Sequence, residues 1–203
     1  DRMIRYGTNP IAWSNDDDPR IGGHITLDQC LDDSARIGFD GIENGNKFPR
    51  AAADLRAVLA PRGLDFVSAW TSLDLLQLDV QAQTEKIAPD VDRLLDMGCA
   101  VMIACETSNT VHGSDRSLSE KPVLADNSWS EFGEKVEAVA EWSARRGLPM
   151  AYHHHMGTVV QTPAEIDRFM AVTGPATGLL FDTGHAYFGG GDPAAILAKY
   201  IDR

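Results

Sequence analysis

Six apolar segments alternate with six amphipathic segments along the sequence, and this alternation restricts the fold more than any other feature. The amphipathic segments have the apolar spacing of helices, and a glycine follows each of the first four, as is common at helix ends. The apolar segments lack strict polar–apolar alternation, which is typical of parallel strands buried on both faces. The pattern therefore predicts an α/β fold of six strand–helix units, with glycines after the helices at Gly38, Gly63, Gly98, Gly147 and Gly174.

The predicted elements follow from these segments and from local capping signals. Thr26 and Thr162 stand where helix N-caps belong, each with Gln or Glu three residues later. The polar stretch 107–128 is longer than most loops of compact domains, and such loops are usually functional or mobile. We predict strands within 4–13, 39–43, 64–70, 99–106, 148–152 and 179–181, and helices over 27–37, 51–62, 80–97, 129–146, from 163 and from 193.

Two architectures suit repeated strand–helix units, a doubly wound open sheet and a (β/α)8 barrel. The first strand–helix loop has neither GxGxxG nor GxxxxGK[ST], which weakens the case for a nucleotide-binding sheet. Polar residues instead follow several strands, where a TIM barrel has its active site. Eight units of about 34 residues would need roughly 270, near the usual barrel size. We therefore expect residues 1–203 to form a single TIM-barrel domain, truncated at the C-terminus to about six units.

Composition limits the classes of partner. The net charge of −12 and pI near 4.8 disfavour a nucleic-acid backbone as ligand. The sequence has neither an apolar run of membrane-spanning length nor a leader pattern, so we expect no membrane partner and no signal peptide. Three cysteines without metal-type spacing favour a reducing, cytoplasmic compartment.

Histidines cluster at two predicted strand ends. Four of the six lie in His153–His155 and at His185, and Asp182 precedes the latter by three residues. A single histidine would be read as a core residue, but this grouping indicates a metal or acid–base site. In an extended chain His153 and His155 point to one side and His154 to the other. We therefore predict a structural role for His154, and Asp182 as a carboxylate at a strand tip with His185 in the turn beyond it.

Other candidates at strand ends have structural alternatives. Glu106 is either a metal ligand or base, or a cap for the loop that follows it. Lys47 is either a surface lysine or a group that steers substrate or acts as a base. Trp13 and Trp70 either wall a small polar pocket or pack in the core. Asn15 and Glu43 complete the strand-end set.

Several motifs together resemble the inosose dehydratase (2-keto-myo-inositol dehydratase) family of the xylose-isomerase-like TIM barrels. The resemblance covers nearly all 203 residues, and the Tyr-His-His-His-Met-Gly-Thr-Val stretch is its most specific part. Asp-x-Gly-His alone is shared across the superfamily and is weaker. The matching segments are 9–17, 41–43 with 47–50, 112–113, 152–159 and 182–186.

The resemblance implies a hydro-lyase of inositol catabolism that dehydrates 2-keto-myo-inositol to a trihydroxycyclohexane-1,2-dione. It also implies a divalent ion, Mn²⁺ or Co²⁺, with glutathione as a further cofactor. Asp182 matches the metal ligand after strand six, and His153 stands where the superfamily has a strand-five Glu. The two remaining ligands would follow Arg203.

Roles for the candidate residues follow from the reaction implied. The expected metal ligands are Asp182 and His153. The catalytic candidates are His185, Lys47, Glu106 and His155, and the substrate-binding candidates are Trp13, Asn15, Glu43 and Trp70.

Three alternatives remain open from the sequence. A sugar or polyol isomerase or epimerase could use the same barrel and the same enediolate chemistry. A phosphodiester nuclease of the endonuclease IV type also uses Asp-x-x-His, but the acidic charge disfavours it. A non-catalytic polyol-binding fragment is the third. The expected partner is a small cyclitol or sugar, and a homo-oligomer is left open.

Overall fold

A computed structural model describes residues 4–203, and the first three residues of the predicted domain lie outside the described residues. The described chain divides into two compact units, residues 4–69 with 92–101, and residues 70–91 with 102–203. The single domain over 1–203 stays a prediction.

The first unit contains a three-stranded parallel sheet whose strands lie side by side in chain order. Thr26 caps the helix that begins at Leu27 by accepting a hydrogen bond from the Gln29 N–H at 3.1 Å, and Gly38 ends that helix in the left-handed conformation, as predicted. The elements are β1 (Gly7–Thr8), α1 (Leu27–Ile37), β2 (Gly41–Ile42), α2 (Ala52–Leu59) and β3 (Asp65–Phe66).

The second unit contains a four-stranded parallel sheet whose strands lie side by side in chain order. Tyr152, Phe132 and Phe169 are fully buried in its core. Its strands are β4 (Trp70–Leu73), β5 (Met102–Glu106), β6 (Met150–His153) and β7 (Thr177–Leu180). Its helices are α3 (Val80–Asp96), α4 (Trp129–Arg145), α5 (Pro163–Val172), α6 (Thr183–Phe188) and α7 (Pro193–Tyr200). The end of α3, from residue 92, belongs to the first unit.

The α/β prediction with parallel strands is confirmed, but two local predictions were wrong. The expected strand 64–70 is interrupted, because the Ser68 carbonyl accepts from Asn44 N and its hydroxyl donates to the Val101 carbonyl at 2.8 Å. The expected turn after Asp182 is instead the short helix α6. Gly184 lowers its helix propensity, but the Asp182 side chain caps it.

The parallel register fixes which strand ends are neighbours. His153, the last residue of β6, pairs with Leu180, the last residue of β7. Side chains that follow these strands therefore meet at one edge of the sheet. Among residues 4–203, no helix combines the length and apolar character needed to cross a membrane.

Candidate metal and acid–base site

His153 and Asp182 meet at the carboxyl edge of the second unit's sheet, because His153 ends β6 and Asp182 follows β7 by two residues. His153 Nε2 lies 3.3 Å from Asp182 Oδ2, and His185 Nε2 lies 4.0 Å from the same oxygen. Asp182 Oδ1 accepts the His185 backbone N–H at 2.7 Å, which fixes the carboxylate as the N-cap of α6. One oxygen of Asp182 is thus used by the backbone, and the other faces two imidazoles.

These three side chains could together hold a metal ion. Their candidate ligand atoms all lie within 4.8 Å of one another. Two donors on one tetrahedral ion with bonds near 2.1 Å are separated by about 3.4 Å, so the His153–Asp182 pair fits such an ion closely. Imidazole and carboxylate donors suit divalent first-row metals such as Mn²⁺ and Co²⁺. The donor set therefore fits a divalent metal of the class that the family resemblance implies.

The charge state of Asp182 supports the same reading. The hydrogen bond with His153 is the main cause that holds the pKa of Asp182 well below its usual range, with further help from the His185 N–H. Asp182 is therefore ionised at neutral pH and available as an anionic ligand.

His155 lies on the same side as His153, as strand alternation predicted. Its Nδ1 lies 2.8 Å from the Met156 carbonyl, an acceptor only, so Nδ1 carries the proton and Nε2 keeps a lone pair. Burial, with the nearby imidazoles, lowers the pKa of His155 to about 3. His155 is therefore a neutral imidazole with its proton on Nδ1 and its lone pair on Nε2.

His185 has a different hydrogen-bond partner. Its Nδ1 accepts the Met156 backbone N–H at 3.4 Å, which favours a proton on Nε2, the atom that faces Asp182. Burial lowers the pKa of His185. In this tautomer His185 presents an N–H donor to the site.

His154 is fully buried, and its ring lies edge-on to His153 with centroids 6.3 Å apart. Its Nε2 accepts the Asp182 backbone N–H at 3.2 Å, and this hydrogen bond helps to fix the backbone of Asp182. Its Nδ1 has no hydrogen-bond partner among residues 4–203. Burial lowers the pKa of His154 to about 4, so the ring is neutral. These contacts favour the structural role that the sequence predicted for it.

Trp70 is the aromatic side chain that the structure brings to the histidines. Its ring makes edge contacts with His153 and His155, with centroids 5.4 and 5.2 Å apart. Its indole N–H donates to Ser72 Oγ at 3.0 Å, and 43% of the residue is exposed. Trp70 thus forms an open aromatic wall beside the cluster.

Glu106 is fully buried at the end of β5. Its carboxylate accepts the backbone N–H groups of Leu75 at 2.8 Å and Ser108 at 2.9 Å. Burial raises the pKa of Glu106 in spite of these hydrogen bonds. The contacts favour the loop-capping alternative over a role as ligand or base.

The remaining four predicted site residues lie in the first unit, where each has a local partner. The Trp13 indole donates to Asp33 at 3.1 Å, and Asn15 Oδ1 accepts the N–H groups of Asp17 and Asp18. Glu43 accepts from Asn9 at 2.6 Å. Lys47 Nζ donates to the carbonyls of Gly23 and Ile25.

His112, in the long loop after β5, is a neighbour of the cluster that the site prediction missed. Its ring lies edge-on to His155 with centroids 4.3 Å apart. His112 belongs to no predicted strand end, so periodicity could not place it. The available signals were the place of His112 in an unusually long loop and in segment 112–113 of the family resemblance.

A site at the carboxyl ends of parallel strands is typical of TIM barrels and of doubly wound sheets, and comparison with known proteins decides between them. A family model described as Xylose isomerase-like TIM barrel matches residues 31–203, and the chain belongs to this family. This confirms the predicted barrel and the resemblance to this superfamily.

Within that family, two curated relatives are similar to the chain from end to end. The Rhizopine catabolism protein MocC of Rhizobium meliloti is 42% identical over 201 residues, which cover 98% of this chain and 62% of that protein. An Inosose dehydratase 1 of Bacillus cereus is 40% identical over 206 residues, covering 100% of this chain and 69% of that protein. The predicted hydro-lyase class agrees with the dehydratase name.

Solved structures share the fold at low identity. The probable 3-DHS dehydratase AsbF of Bacillus anthracis superposes with a TM-score of 0.69 at 15% identity, covering 98% of this chain and 70% of that one. A sugar phosphate isomerase/epimerase of Parabacteroides distasonis gives 0.72 at 14% identity, covering 100% and 74%. At this identity the likeness concerns the fold alone.

Proposed function

We propose that the protein catalyses the metal-assisted dehydration of 2-keto-myo-inositol to a trihydroxycyclohexane-1,2-dione. The observation that carries the proposal is the His153–Asp182–His185 group in a chain that is 40% identical throughout to Inosose dehydratase 1. The proposed partner is accordingly a small cyclitol, and the compartment is the cytoplasm.

The reaction sets two demands on the protein. A C–H bond next to the ketone must break, with its proton passing to a base, and a β-hydroxyl must leave as water after receiving a proton. The enol formed then becomes the dione. A site for this reaction needs a base with a lone pair, a proton donor and a stabilised enolate oxygen.

We assign the metal to His153 and Asp182. An ion bound there would act as a Lewis acid on the substrate carbonyl. The ionised Asp182 and the fit of its separation from His153 support this assignment. His154 supports it indirectly, because it holds the Asp182 backbone. Glutathione remains a prediction from the family resemblance.

We assign the proton transfers to His155 and His185. His155 offers a lone pair at Nε2, because its Nδ1–H donates a hydrogen bond to the Met156 carbonyl. His185 offers a proton at Nε2, because its Nδ1 accepts the Met156 N–H. One peptide segment thus sets complementary tautomers in two histidines whose rings lie 3.8 Å apart.

The other predicted catalytic residues receive less support. Both Glu106 oxygens accept hydrogen bonds from backbone N–H groups, and the Lys47 ammonium donates hydrogen bonds to two backbone carbonyls. We propose Trp70 as a substrate contact because it is exposed beside His153 and His155. Trp13, Asn15 and Glu43 remain predicted substrate contacts.

Product analysis tests the function directly. The purified protein is incubated with 2-keto-myo-inositol and Mn²⁺ or Co²⁺, and products are followed by ultraviolet absorbance and mass spectrometry. Dehydration predicts an absorbing diketone that has lost one water. A product of unchanged mass would instead indicate an isomerase or epimerase, and an unaltered substrate with measurable binding would indicate a polyol-binding protein.

A further inference from the structure

The loop between β5 and α4 is attached to the histidine segment at two points on either side of His112. On one side Thr110 Oγ1 and the Val111 N–H both donate to the Gly157 carbonyl, at 2.8 and 3.1 Å. On the other side Lys121 Nζ donates to the Thr158 carbonyl at 3.2 Å and pairs with Glu165 at 2.7 Å. The loop thus holds His112 at a defined place against residues 155–158.

Gly157 makes the close approach of His112 possible. A Cβ atom at Gly157 would lie 2.9 Å from the His112 backbone nitrogen and 3.1 Å from its Cβ. Gly157 also has φ +77°, which disfavours other residues. Any larger residue there would push His112 away from the cluster.

The His155 ring is enclosed by four other rings, one of them His153 with centroids 5.4 Å apart. His112 lies at 4.3 Å with an interplanar angle of 75°, His185 at 3.8 Å and Trp70 at 5.2 Å. Only 8% of His155 is exposed. If the ring flipped about Cβ–Cγ, a carbon would replace Nδ1 and the hydrogen bond to the Met156 carbonyl would be lost. His112 packs against the ring from the loop side and opposes that rotation.

We propose that His112 is a positioning residue that acts through His155, holding the ring in the orientation that leaves Nε2 as its basic atom. The edge-to-face geometry is the arrangement that aromatic pairs favour. The mechanistic consequence rests on the proposed dehydration, whereas the packing role concerns the protein alone. The proposed role uses the ring-to-ring contact, so phenylalanine, which keeps an aromatic ring, should preserve it, but alanine and asparagine should not.

The test compares His112→Ala, His112→Phe, His112→Asn and Gly157→Ala with His24→Ala, an exposed histidine of the first unit, as the matched control. Nitrogen-15 NMR of histidine-labelled protein reports the His155 tautomer, with its signals assigned from a His155→Gln variant. We expect the Nδ1–H form in the wild type, in His24→Ala and in His112→Phe. Loss of that single form is expected in the other three variants.

The kinetic arm uses the same variants. A base held out of place costs turnover rather than binding, so we expect His112→Ala to lower kcat at least about tenfold and to leave KM within about twofold. His112→Phe should recover most of the loss. An unchanged His155 tautomer in His112→Ala, or rescue by Asn rather than Phe, would overturn the proposal. If the wild type forms no dione, the proposed function fails, while the NMR arm still decides the positioning role.

Discussion

Asp182 is the residue on which most of the site depends. Its Oδ1 caps α6, its Oδ2 faces His153 and His185, and its backbone N–H donates to His154. One aspartate therefore joins the end of β7, the start of α6 and three histidines of the cluster. The sequence predicted the carboxylate and the imidazole correctly as neighbours, but assigned the segment to a turn.

Glu106 provides a prediction that separates structure from catalysis. Glu106→Gln leaves one acceptor oxygen for two backbone N–H groups and places an amide N–H₂ near the other. We expect the free energy of unfolding to fall by about 1–3 kcal/mol, the usual effect of an unsatisfied buried group. Urea denaturation measures it. Exposed Glu85→Gln on α3 is the control, and equal stability of both variants would contradict the capping role.

At the residue scale, the sequence predicts features that depend on neighbouring residues, but not contacts between residues distant in the chain. Alternation continued from β6 into the residues after it placed His153 and His155 on one side and His154 on the other, because side-chain direction in an extended chain follows from residue position alone. The buried partners of Glu106 could not be predicted in the same way, because Leu75 lies 31 residues away in the chain. The contact of His112 with His155 likewise requires the path of a long loop.

At the scale of elements, the start of α5 combines a cap with a loop anchor. Thr162 and Glu165 form a capping box, and Glu165 also pairs with Lys121. Both members of that pair are largely buried. The capping box was predicted from Thr-Pro-Ala-Glu, but the loop anchor was not, since it joins residues 44 apart.

Two variants separate these functions. Thr162→Ala removes the cap and should cost about 1 kcal/mol of stability, with little effect on the loop. Glu165→Ala also leaves Lys121 unpaired, so it should cost about 1–3 kcal/mol and speed hydrogen exchange of amides in residues 110–121. Hydrogen-exchange mass spectrometry compares the two. Equal exchange of the loop in both variants would contradict the anchor.

The strand predictions show a similar limit. The apolar run 64–70 indicated one strand, yet it supplies β3 to one sheet and the first residue of β4 to another. The interruption depends on hydrogen bonds of Ser68 with Asn44 and Val101. The apolar composition of 64–70 favours an extended backbone. Hydrogen bonds with residues distant in sequence decide where strand pairing stops.

At the scale of the whole molecule, we expect metal binding to raise the melting temperature. A ligand that binds only the folded state at 100 times its Kd adds about 2.7 kcal/mol, and a protein of this size gains about 2–4 °C in Tm per kcal/mol. We expect Mn²⁺ or Co²⁺ to raise Tm, and EDTA to reverse the effect. Calorimetry of Asp182→Asn should show no rise, and an equal rise in that variant would place the metal elsewhere.

The same substitution gives the most direct test of the proposed dehydratase site. Asparagine remains a good N-cap, so Asp182→Asn keeps the hydrogen bond to α6 and removes only the charge. Asp192→Asn, at the N-cap of α7, is the matched control. The measurement is the initial rate of dione formation from 2-keto-myo-inositol.

We predict that Asp182→Asn lowers this rate by at least about 100-fold, the scale on which loss of one electrostatic or acid–base group reduces turnover. Tm without metal should fall, because the low pKa of Asp182 means that its charge stabilises the folded state, so rates are compared well below both melting temperatures. Asp192→Asn should dehydrate the substrate normally. A near-normal rate of dione formation by Asp182→Asn would contradict a dehydration centre built on His153 and Asp182.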